Sequence, residues 1–389
     1  MVICKSTQWS FKHHLLFILD ATYNAAVVTP ISISLWWSVW DLFYALSTVI
    51  SAKTYPHIGL WVLLTCGSIG KLSLYLLQHS FRHYVNLAQR SKLFVVIVTR
   101  IDLYITFCFG MAVWVGVWTL MDEITGINTP STMVCLAISL PGLFILRSLR
   151  NGVSAPMNLD LDSNQKLFDY PMLFKVDPSN DNSTISQYVY YFFDCFITVT
   201  VIDVLLVFYW RAGFNILDLY LLPNDPTLSA WITVIVGYTM FICVLFLQFP
   251  ALNISKKLAS PWQRLLYKSG YWILTFIMMV CIWRGIWNLI VIYAGVEHLP
   301  MPYYYLVPLI AHICIVSIMF ALNIFCNGLS GFTKVDDNCL NGSDLLVKNI
   351  FQTVSNLMTV YATDDTIDEP NESTPLITSQ STNEPGLQV

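Results

Sequence analysis

Charge is what this sequence has least of. Only 11% of its 389 residues are Asp, Glu, Lys or Arg, against roughly 25% in an average soluble protein, so a water-facing surface cannot be built around a core this size. Strand-like alternation is missing too. The hydrophobic residues, 56% of the chain, gather into runs of about 20 rather than the alternating runs of about ten that a membrane barrel needs. No basic patch of the size that nucleic-acid binding requires accompanies the net charge of -4, which excludes a nucleic-acid partner. The ten cysteines form no C-x-x-C and lie mostly inside apolar runs, where they read as small packing residues. G-x-S-x-G, H-E-x-x-H and P-loop patterns are all lacking, so neither an enzyme nor a cofactor or metal site is expected. His79 and His83 have helical spacing but stand beside Arg82 at a helix end, as solvated interface histidines would.

What remains is helix for a lipid solvent. Apolar segments lie near 26–50, 58–78, 93–121, 131–149, 188–220, 228–250, 269–294 and 304–328. They predict an all-α polytopic membrane protein whose eight transmembrane helices are arranged as four repeated helix pairs. The domain spans 26–328, between a cytosolic N-terminal segment, 1–25, and a cytosolic, largely disordered tail, 329–389. Pro130 opens the fourth span, where a missing N–H is harmless, and Pro141 inside it should kink it.

Loop charges set the orientation, since Lys and Arg are retained on the cytosolic side. Lys5 and Lys12 precede the first span; Arg82, Arg90 and Lys92 follow the second; Arg147, Arg150, Lys166 and Lys175 follow the fourth; Lys256, Lys257, Arg264 and Lys268 follow the sixth. The loops after the odd spans contribute Lys53 alone. Both termini are therefore expected in the cytosol, in the plasma membrane or an endosomal or vesicle compartment. The sequons at Asn182, Asn253, Asn341 and Asn371 all fall on that side, where glycosylation does not occur.

A motif recurs once in each odd span: Trp36-Trp-Ser-Val-Trp40-Asp41-Leu42, Trp114-Val-Gly-Val-Trp118-Thr119-Leu120, Trp210-Arg-Ala-Gly-Phe214-Asn215-Ile216 and Trp283-Arg-Gly-Ile-Trp287-Asn288-Leu289. The four copies align without a gap, and the chain between successive copies suffices for two spanning helices. Aromatics at i and i+4 share a helix face, and the small residue between them lets a neighbouring backbone approach. Two readings stay open. The motif is an aromatic belt with close packing, or its copies converge on an axis where Asp41, Asn215 and Asn288 line a polar cavity.

Ionisable groups inside the spans are expensive and mark candidate sites. Lys71, Arg100, Asp102, Asp194, Asp203, Arg211 and Arg284 qualify. Arg211 and Arg284 share one motif position, where two readings stay open: they snorkel to the outer interface or stack on the rings, or they belong to a site on the repeat. Lys71 is expected to pair with Asp102 or Asp203. In the tail, Glu372 four residues before Leu376-Ile377 fits an acidic dileucine signal for sorting adaptors. The acidic loop over 150–187 and the tail would face other cytosolic partners.

With eight spans, cytosolic termini and Trp283-Arg-Gly-Ile-Trp287-Asn288 in view, the sequence resembles the fuseless family of invertebrate multipass membrane proteins over residues 26–328. The resemblance implies a neuronal, presynaptic protein required for clustering voltage-gated calcium channels among active-zone proteins, with no enzymatic activity. It carries over no binding residues. The rival expectation is a small-solute transporter or channel built on the repeat axis.

Overall fold

A computed structural model describes residues 11–51, 55–88, 91–157, 160–164, 168–176, 184–296, 299–300 and 302–329. They are helical, with no β-strand among them. The main helices are α1 (Leu15–Ile50), α2 (Ile58–Val85), α3 (Leu93–Thr125), α4 (Thr129–Ile145), α5 (Ile185–Tyr220), α6 (Pro226–Lys257), α7 (Pro261–Ala294) and α8 (Tyr303–Ala321). Seven of these are long and apolar enough to cross a membrane; α4, at 17 residues, is shorter. Residues 15–25, assigned above to the N-terminal segment, are helical and continuous with the first span.

Local chemistry sets these ends. Ser91, Asn128 and Asp225 accept from the backbone N–H groups of Phe94, Ser131 and Leu228 at 3.2, 2.9 and 2.9 Å, which satisfies donors left orphaned at a helix start. Proline follows two of these caps, at Pro130 and Pro226, where no N–H is missed. At the far end of α4, Arg147 turns to a φ of 52° and Ser148 N–H donates back to the Leu143 carbonyl at 2.8 Å. That left-handed turn is why α4 stops short. Pro141 is carried inside α4 without ending it.

Four helices form an inner ring: α1 packs on α3, α3 on α5, α5 on α7, and α7 on α1. Each inner helix packs most extensively against the outer helix that precedes it, α2 on α3, α4 on α5 and α6 on α7, while α8 closes onto α1. Along the chain, each of α3, α5 and α7 thus packs on the helix before it more than on the one after it. Small residues decide this. A Cβ added at Gly116 would lie 2.9 Å from the Leu64 Cβ of α2, and one at Gly285 would lie 2.9 Å from the Val234 N of α6, so both helix pairs approach too closely for a side chain.

Each of α1 and α5 carries a stretch of π-helix, Asn24–Val28 and Ile197–Ile202, both ending eight residues before their motif tryptophans, Trp36 and Trp210. The wider turn frees a carbonyl: Ala25 accepts from the Tyr238 hydroxyl of α6 at 2.8 Å.

The segment after α4 does not stand away from the bundle. Ala155, Met157, Asp162, Tyr170, Met172 and Leu173 are all buried. Much of the described part of the 150–187 loop therefore packs into the bundle, while Ser163, Asp169, Phe174 and Lys175 stay exposed. Its backbone polar groups are met by side chains of the helices, which makes such burial possible. The tail from residue 330 on, with Glu372, Leu376 and Ile377, lies outside the described residues, as do Asn182, Asn341 and Asn371. Asn253 is exposed on α6.

Candidate functional site

The four motif copies converge on one axis and fill it. Trp36, Trp114, Trp210 and Trp283 form a closed ring, with centroids 4.9 Å apart between Trp36 and Trp114, 6.5 Å between Trp114 and Trp210, 5.4 Å between Trp210 and Trp283, and 5.6 Å between Trp283 and Trp36. All four contacts are edge-on, the geometry in which each positive ring edge meets a negative face. One turn along, Trp40, Trp118, Phe214 and Trp287 form a second layer: Trp40 meets Trp118 at 5.6 Å and Trp287 at 5.7 Å, and Trp118 meets Phe214 at 5.4 Å. The i and i+4 positions put both layers on the face that each helix turns to the axis.

The first layer is also capped from the end that carries the basic loops. Trp36 Nε1 donates to the Gly328 carbonyl at 2.7 Å and Trp283 Nε1 to the Ala155 carbonyl at 2.9 Å. The Asn24 side-chain amide donates to the Pro156 carbonyl. Two short segments, Ser154–Met157 and Phe325–Gly328, thus stopper the ring. The second segment is itself held by Asp162, which accepts from Cys326 N–H at 2.7 Å; burial pushes its carboxyl above the ordinary carboxylate range. Asn327 adds contacts of 2.8 Å to both the amide and the carbonyl of Asp160.

The two motif arginines do not snorkel. Arg211 has no exposed surface; its Nε donates to Asp122 Oδ1 at 2.8 Å, and its Nη groups donate to the Ser131 hydroxyl and the Gly126 carbonyl, each at 3.0 Å. Arg284 repeats the arrangement one helix further round, with Nε 2.7 Å from Asp218 Oδ1. Arginine follows its motif tryptophan by one residue, and the aspartate of the preceding inner helix follows its own by eight. Sequence reasoning missed Asp122 and Asp218, although that shared spacing was the signal that could have found them.

The remaining intramembrane charges divide by role. Lys71 of α2 reaches Asp203 of α5, with both side chains almost wholly buried. Asp102 instead accepts from the Tyr170 hydroxyl and from Phe168 N–H. Asp194 accepts from Phe174 N–H at 2.9 Å and Val176 N–H at 3.2 Å, so these two carboxylates anchor the buried loop. Arg100 donates to the Phe320 carbonyl at 2.8 Å while lying over that residue's ring. His79 packs on the Tyr191 ring.

Of the motif's polar residues, Asn215 is buried and its Nδ2 finds no hydrogen-bond partner among the described residues. Asp41 and Asn288 are half-buried. None of the three lines the apolar groove that opens between α1 and α6.

The Fuseless family model matches residues 15–329, most of the chain. No curated protein and no solved structure matches it.

Proposed function

The chain belongs to the Fuseless family, and from that premise we propose that it is a presynaptic membrane organiser, working through protein contacts and not through chemistry or transport. In this reading it crosses the bilayer eight times as four repeats with both termini in the cytosol, α4 completing the count. It supports clustering of voltage-gated calcium channels and hence synaptic transmission, with active-zone proteins as its partners and sorting adaptors engaging Leu376-Ile377 in the tail.

The observation that carries the reading is the filled axis. Two aromatic layers and a backbone stopper occupy the line along which a solute would have to pass. Buried charges are absorbed in fixed pairs and loop anchors, where a transport route would leave them facing water.

Two measurements test it. In neurons lacking the protein, re-expression should restore the density of tagged calcium channels at release sites. In intact membranes, a small charged thiol reagent should leave Asp41→Cys, Asn215→Cys and Asn288→Cys unlabelled, on a background without reactive native cysteines. Labelling of all three would establish an aqueous cavity and replace the organiser with the transporter; unrestored channel density would remove the presynaptic role.

A further inference from the structure

Between α1 and α6 the bundle opens into a groove of about 960 Å³, with Ala21, Ala25 and Ala26 on one wall and Phe241, Ile242 and Phe246 on the other. Two contacts pin its ends. The Tyr238 hydroxyl holds the Ala25 carbonyl at 2.8 Å, and the rings of Phe17 and Phe249 meet at 6.0 Å. From Tyr238 to Phe249 is about 17 Å at 1.5 Å per residue. That is close to half of a ~30 Å hydrocarbon core, the reach of one lipid acyl chain in one leaflet; a transmembrane helix would need twice the length.

Charge says which lipid. Positions 242, 246, 249, 253 and 256 recur at helical spacing of three or four, so the face that forms the groove wall continues towards the helix end. There Lys256 and Lys257 are exposed. They stand about 10 Å beyond Phe249 along the axis, the depth at which a phospholipid headgroup sits above its chains. Clustered lysines at the basic end of a transmembrane helix attract anionic headgroups.

We propose that this groove is a binding site for one anionic phospholipid of the leaflet at the basic end of the bundle, its acyl chains between α1 and α6 and its headgroup on Lys256 and Lys257. The inference depends on the chain spanning a membrane and is independent of the organiser role.

The test uses the purified full chain in nanodiscs of equal phosphatidylserine and phosphatidylcholine, released into a native mass spectrometer. Retention of phosphatidylserine over phosphatidylcholine by several-fold is expected. Lys256→Gln with Lys257→Gln should bring the two to parity, and Ala26→Trp or Ile242→Trp, each filling the groove from one wall, should remove both. In the unsubstituted chain a phosphatidylserine with a photoactivatable acyl chain should label peptides containing Ala26 or Phe246, a readout that no folding defect can confuse. Labelling elsewhere, equal retention of the two lipids, or unchanged retention in both filled variants would overturn the proposal. So would a dimer mass abolished by Ala26→Trp, since a second copy would then be the occupant.

Discussion

Arg211 and Asp122 join two copies of one motif: an arginine with no exposed surface on α5 holds a carboxylate on α3 at 2.8 Å, and Arg284 does the same to Asp218 at 2.7 Å. Two of the four sides of the inner ring are thereby clasped by the same device in the same register. On the sides that involve α1 the corresponding positions hold Trp37, Tyr44, Val115 and Val291, so neither side carries this clasp, and Trp36 and Trp40 meet the rings of α3 and α7 edge-on there. The groove proposed as a lipid site opens beside that helix.

Breaking the Arg211 clasp from the carboxylate side should be severe. Asp122→Asn leaves a buried guanidinium without its counter-charge, a change that costs about 3–5 kcal/mol in buried pairs. The matching change at Asp218, whose side chain is 41% exposed against 24% for Asp122, should cost less, because water already screens the attraction that the buried Arg284 would lose. Thermal unfolding of the two variants in detergent, compared side by side, checks the order; equal losses would mean that burial does not set the strength of these clasps.

Lys71 and Asp203 are almost fully buried, so reversing either one alone places two like charges together in a low-dielectric interior. Lys71→Asp or Asp203→Lys should each abolish folded expression, and the double variant should recover much of it. Fluorescence-detected size-exclusion chromatography reads this directly, and no recovery in the double variant would sink pairing as the source of the loss.

The tryptophan ring offers graded substitutions. Trp36→Phe removes the indole N–H that Gly328 accepts from but leaves an aromatic edge, and should cost about 1–2 kcal/mol. Trp36→Ala also opens a cavity between Trp114 and Trp283 and should cost about 3–5 kcal/mol. The same pair of changes at Trp61, which is 50% exposed on α2, should move the melting temperature little. A flat response at Trp36 would mean that the ring does not hold the inner helices together.

Tyr170 donates to Asp102 from the buried loop. Among the described residues, Tyr170→Phe leaves that carboxylate with its longer contact from Phe168 N–H, so backbone amides over 168–176 should exchange with deuterium faster while the inner helices keep their protection. Unchanged exchange would show that Asp194, together with Gln78, whose side-chain carbonyl accepts from Tyr170 N–H at 3.0 Å, suffices to hold the segment.

In the tail, Leu376→Ala with Ile377→Ala should raise the fraction of protein at the cell surface, measured by biotinylation, if sorting adaptors read that pair. A constant surface fraction would remove adaptors from the list of partners.

Several features were legible from residue order because their causes are local. Solvent preference follows from the scarcity of charge and the length of the apolar runs, and the i, i+4 spacing of Trp36 with Trp40 already puts both rings on one face. Caps at Ser91, Asn128 and Asp225 could be read the same way. Residue order did not determine that α8 closes onto α1, that Trp36 meets Trp283 across most of the chain, or that Arg211 finds Asp122 and not the water interface. Those choices depend on which surfaces fit once every backbone polar group is satisfied and the small residues at Gly116 and Gly285 let helices approach. The same holds for the loop after α4: its five aspartates read as an acidic, partner-facing segment, but Asp102, Asp194 and Gln78 supply from the helices acceptors for the backbone of its described part. Local pattern decided where the helices are and what solvent they want; three-dimensional packing decided which of them touch, because contact energy belongs to pairs of residues that the chain itself keeps far apart.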